Sequence, residues 1–121
     1  MKIFILSIFL LFSFGVLGYE LDRKLTEKEK ELVQIYEKYS KEKFGDIFGN
    51  YKYTLEITEA KKCWDSSEEE WNPGISIKLA KIPNNECWRV TFGLPENMIG
   101  GTPVIFIDKK TLEVMHAYGT Q

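Results

Sequence analysis

At 121 residues and 14.1 kDa the chain has room for one domain and no second core, which excludes a multidomain enzyme. With 44% hydrophobic and 28% charged residues it matches a soluble globular composition, excluding both wholesale disorder and a polytopic membrane protein. Sixteen Lys and Arg against eighteen Asp and Glu, a net charge of −2, supply no positive field for phosphate neutralisation, so nucleic acid is not an expected partner.

The first element is a leader. Lys2 precedes residues 3–17, twelve of which are apolar, and Val16 and Gly18 are the small residues that a cleavage site requires. The run is shorter than the roughly 20 apolar residues of a membrane span, so residues 1–18 read as a secretory signal peptide. Residues 19–121 are then one exported domain, periplasmic or secreted, with no membrane insertion once the leader is removed. An uncleaved N-terminal anchor is the other reading.

Thr26 and Glu29 have the spacing of a capping box, and Leu32, Ile35, Tyr36 and Tyr39 follow at helical intervals, with Val33 and Phe44 flanking them. Gly45 provides the stop, which predicts a helix over 26–43. Tyr51, Tyr53, Leu55 and Ile57 alternate with polar residues, the period of a half-buried strand. A polar, acidic stretch ends at Asn72-Pro73-Gly74, and Ile75, Ile77 and Leu79 then alternate as a second strand. A third strand runs from Cys87 to Phe92, with Trp88, Val90 and Phe92 on one face and Cys87 on the other. Pro103–Ile107 and Leu112–Tyr118, joined by Asp108-Lys109-Lys110-Thr111, form a closing hairpin. The sum is an α+β domain, one N-terminal helix on an antiparallel sheet of about five strands.

Cys63 and Cys87 are the only cysteines, and in a small exported domain they pair as a disulfide. With the single His116 they cannot close a metal site without carboxylates, and no metal or cofactor is expected. His116 is a candidate general base without a nameable partner, and packing is its commoner role. Between Trp64 and Trp71 lie Asp65, Glu68, Glu69 and Glu70, so this loop combines acid charge with a Trp anchor. Asp65, Glu68, Glu69, Glu70 and Trp71 are therefore candidate contacts for a basic partner. The competing reading leaves the acids in solvent and packs both tryptophans on the sheet.

Trp88-Arg89-Val90-Thr91-Phe92-Gly93-Leu94-Pro95, the pair Gly100-Gly101, and Thr102–Val114 with Asp108 in its I-D-K turn resemble the NTF2-fold immunity proteins of bacterial polymorphic toxin systems. Trp88, Gly100, Gly101 and Asp108 carry the likeness as structural motif residues. The resemblance implies a curved antiparallel sheet of NTF2-like or cystatin-like type and a protein that catalyses nothing. It also implies that the chain neutralises a cognate toxin by occlusion, and export places that toxin outside the cytoplasm. Two departures stand out: Leu112 occupies the place of the usual Gly in the last turn, and residues 60–85 are longer than the family core. Two alternatives remain open. One is a periplasmic inhibitor of a lysozyme or protease with a PepSY-like or cystatin-like fold; the other is a small secreted hydrolase using His116 and a nearby carboxylate.

Overall fold

The computed structural model of the chain describes residues 20–21, 23–49, 52–71, 73–94 and 102–119; the leader lies outside them. Its frame is one long helix, α1 (Glu27–Phe44), on a four-stranded antiparallel sheet. The sheet strands are β2 (Lys52–Ala60), β3 (Cys87–Gly93), β4 (Val104–Asp108) and β5 (Val114–Tyr118), in chain order. A two-residue strand, β1 (Glu20–Leu21), adds to β2 in parallel at Lys52 and Tyr53, so the fifth strand is neither antiparallel nor where the sequence placed it.

The start of α1 follows from its sequence. The Glu29 amide donates to Thr26 Oγ1 (3.2 Å) and the Thr26 amide donates to Glu29 Oε1 (2.9 Å), completing the capping box. At the other end Gly45 takes φ +84°, which other residues rarely adopt, and the chain leaves the helix there. Leu32, Val33 and Tyr36 are buried against Tyr53 and Leu55 of β2, Val90 and Phe92 of β3, and Ile105 and Ile107 of β4. Phe48 seals the helix end, its ring 5.0 Å from Phe92 and 5.2 Å from Tyr53 in edge contacts.

The expected strand at 75–80 is not formed. Residues 73–75 make a 3-10 turn and Ser76–Leu79 a short helix, α3, which follows another short helix, α2 (Ser67–Trp71). β2 and β3 pair directly, from Thr54 opposite Gly93 to Ala60 opposite Cys87, so no strand from this segment lies between them in the sheet. The intervening chain instead folds back as a cap, with Leu79 buried and Ile77 exposed.

The cap accounts for a second core. Cys63, Cys87, Val104 and Phe106 are buried together, with Ala60, Ile82, Met115 and Tyr118 around them. This cluster lies on the sheet face away from α1, as the alternation of Cys87 against Val90 and Phe92 requires. Because both faces are covered, all five residues of β4 are buried, which explains its continuous apolar run. The cap is stapled by a disulfide between Cys63 and Cys87, Cα atoms 5.3 Å apart, as expected from the paired count.

Candidate functional site

The cap meets the sheet through a group of ionisable side chains. Asp65 and Glu68 sit at the start of α2 and brace each other: the Glu68 amide donates to the Asp65 carbonyl (3.1 Å), and the Asp65 amide donates to Glu68 Oε2 (3.1 Å). Glu68 is fully buried, and its other oxygen lies 2.7 Å from His116 Nε2 on β5. Asp65 takes two contacts from Arg89 Nε, at 3.0 and 3.2 Å, and a short hydrogen bond from the Tyr118 hydroxyl.

A bulge brings His116 here. Phe106 faces His116, but the next residue, Ile107, faces Val114, so Met115 is the extra residue of β5. Val114 and Ala117 therefore pack with the α1 side, whereas Met115 and Tyr118 pack with the cap side. The His116 ring stacks on Phe106 at 6.0 Å, which leaves Nε2 directed at the Glu68 carboxylate.

The electrostatics follow from burial and pairing. Burial opposes the charge on Arg89, but the hydrogen bond and charge of Asp65 outweigh it, and the guanidinium is held above its ordinary value. Burial, reinforced by the hydrogen bond to Asp65, pushes the Tyr118 hydroxyl up to about 12. Both carboxylates are thus occupied by partners within the molecule, and the arrangement holds the cap to the sheet. As chemistry, Glu68–His116 matches the orienter and base of a catalytic triad that would still need a nucleophile. Among the described residues no hydroxyl is hydrogen-bonded to His116, both thiols are oxidised, and no His, Cys, Asp and Glu group could hold a metal.

The remaining candidates are scattered. Glu70 is exposed, while the side chains of Glu69 and Trp71 lie outside the described ones. Trp64 is half-buried and carries Lys62 Nζ 3.7 Å above its ring. The five expected contact residues therefore do not form one acidic face: Asp65 and Glu68 turn inward. Gly100 and Gly101 lie outside the described residues.

Asp108 and Trp88 lie where the start of β3 pairs with the end of β4. Asp108 is buried, with Oδ1 accepting the amides of Lys110 (2.8 Å) and Thr111 (2.9 Å) and Oδ2 accepting Asn85 Nδ2 (2.9 Å). The two backbone amides, first that of Thr111, hold its carboxyl below the usual range. Next to it Lys109 pairs with Glu59, and its Nζ stands 4.9 Å over the Trp88 ring. Trp88 packs against the α1-side core, and its buried Nε1 has no hydrogen-bond partner among the described residues. A cleft of about 340 Å³, lined by Asn84, Asn85, Glu86, Lys110 and Thr111, opens beside Asp108.

In comparisons with known proteins, no family model, no curated protein and no solved structure matches the chain. Among the described residues no helix is long and apolar enough to cross a membrane. A disulfide and the lack of such a helix are compatible with a secreted or periplasmic protein.

Proposed function

We propose that the chain is an exported binding protein that neutralises a cognate toxin by occlusion, an immunity protein of NTF2-like type, with residues 1–18 as its leader. The observation that carries this reading is the cap: a disulfide and two internally paired carboxylates fix its conformation before any partner arrives. A surface already ordered loses little conformational entropy on binding, which favours tight association over turnover. Export makes the toxin one that acts outside the cytoplasm, on cell wall or membrane. The experiment is co-expression with an exported toxin candidate encoded beside this chain, with and without residues 1–18. Protection that requires the leader supports the reading; full protection without the leader overturns the location, and none in either case overturns the function. An inhibitor of a lysozyme or protease would share the binding mode and is separated by capture of its target enzyme.

A second reading, a small secreted hydrolase, draws on one contact, the 2.7 Å pair of Glu68 and His116. It requires a hydrolytic activity that His116→Ala abolishes.

A further inference from the structure

The disulfide is wholly buried, and among the described residues the apolar side chains clustered with it come mostly from the sheet. Cys63 and Cys87 are both 0% exposed, and of the described hydrophobic residues clustered with them Val104, Phe106, Ala60, Met115 and Tyr118 belong to the sheet and Ile82 to the cap. Polar links join cap to sheet from one limb: Asp65 to Arg89 and Tyr118, and Glu68 to His116. The other limb is tied near its end by Asn85 to Asp108 and by the Lys109 amide to the Glu86 carbonyl at 3.2 Å.

We propose that Asp65 and Glu68 form a latch that gates the disulfide: the limb after Cys63 swings off the sheet as one unit, and only then does a thiol reach sulfur. Two observations make the opening local. The anchors are coupled through the Asp65 amide and Glu68 Oε2, so losing one weakens the other, and a buried carboxylate deprived of its partner is costly to keep in place. The α1-side core, built from Leu32, Val33, Tyr36, Phe92 and their neighbours, is a separate cluster that no described side chain of the cap enters. Regions with few apolar contacts open at a lower free energy than the core and do so as cooperative units.

The reaction behind the gate is ordinary exchange with a dithiol. Its thiolate attacks one cystine sulfur, the S–S bond breaks, and the departing Cys thiolate takes a proton. The second thiol then attacks the mixed disulfide and releases the other cysteine. Two electrons pass from the dithiol, which becomes a cyclic disulfide, to the cystine, which becomes two thiols. The opened state exposes Val104 and Phe106, so latch strength also sets how often this apolar face meets solvent.

The test is the rate of reduction of the purified exported protein by dithiothreitol under native conditions, trapped by alkylation and read by intact mass. Asp65→Asn and Glu68→Gln are expected to accelerate reduction by about tenfold or more. Tyr36→Phe, which removes a hydrogen bond of the α1-side core, is expected to lower the denaturation midpoint and leave the native-state reduction rate within about twofold. Unchanged rates in both latch variants overturn the proposal. So do rates that follow global stability across all three variants, because reduction then proceeds through complete unfolding. If a latch variant does not fold, hydrogen exchange of the unaltered protein decides. Residues 61–71 must exchange at a clearly lower free energy than β3 and β4; equal protection overturns the latch.

Discussion

The hydroxyl of Tyr36 donates to the carbonyl of Pro103 at 2.6 Å, fastening the middle of α1 to the chain just before β4. Beside it Thr102 Oγ1 accepts the Phe92 amide and donates to the Phe92 carbonyl, both at 2.9 Å. A single side chain thus serves both backbone groups of Phe92 beyond the point where the β3–β4 ladder ends, at Val90 opposite Ile105.

Thr102→Val keeps the shape and strands two buried backbone groups, so it should cost about 2 to 4 kcal/mol, and Thr102→Ser far less. Tyr36→Phe should cost only about 1 kcal/mol, because Thr91 Oγ1 still donates to the Pro103 carbonyl at 3.1 Å. Urea denaturation of the three variants checks the order.

Neighbouring glutamates should respond in opposite ways. His116→Ala leaves the fully buried Glu68 without its partner and should destabilise by about 3 kcal/mol or more. Glu70→Lys changes an exposed side chain and should stay within about 0.5 kcal/mol of the unaltered protein. If Glu70 contacts a basic partner, its reversal slows association without changing stability, which separates a contact residue from a fastening one.

The pH limits of stability carry two signatures. The Tyr118 hydroxyl has its folded value raised from 10.0 to about 12, so its contribution is complete below pH 10 and is lost as pH rises towards 12. Tyr118→Phe should flatten that part of the alkaline limb. The Asp108 carboxyl is held below its ordinary value of 3.8, so its contribution is present above that pH and disappears as pH falls through the lower folded value. Asp108→Asn should remove this component of acid sensitivity, measured as denaturation midpoint against pH.

Leu112 sits at φ +61°, the left-handed region, in the turn whose amide bonds back to the Asp108 carbonyl at 2.9 Å. Holding a leucine there costs about 1 to 2 kcal/mol. Full burial of its side chain would return about 1.5 to 3 kcal/mol, and Leu112, packed half-exposed against the α1-side core, recovers part of that. The two effects nearly cancel. Leu112→Gly should therefore fall within about 1 kcal/mol of the unaltered protein, whereas Leu112→Ala keeps the backbone cost, loses the packing and should be the less stable variant. Thermal midpoints rank the three.

The helix was legible because Thr26, Glu29 and Gly45 mark its ends and its apolar residues repeat at helical spacing. The strand Lys52–Ala60 was legible because its buried and exposed residues alternate at its start. Ile75, Ile77 and Leu79 misled because three alternating residues also fit a turn and a short helix, and only tertiary packing decides between them. The cluster was hidden twice over. Three consecutive glutamates do not reveal which is buried, and the bulge at Met115, which turns His116 towards the cap, leaves no trace in composition. Spacing alone could not resolve it: Asp65 and Glu68 stand at the interval of a capping box, but so do Ser66 with Glu69 and Ser67 with Glu70.

The staple also changes how far apart β2 and β3 are along the chain. Thr54 pairs with Gly93 and Ala60 with Cys87 across a long excursion, so in the reduced chain this ladder closes a large loop before its contacts form. Once Cys63 and Cys87 are joined, the covalent route between the strands runs from Ala60 through the bridge to Cys87, as short as a hairpin turn. A distant pairing becomes a local one, and because local contacts form fastest, the oxidised chain should refold sooner than the reduced chain, with the β2–β3 ladder first.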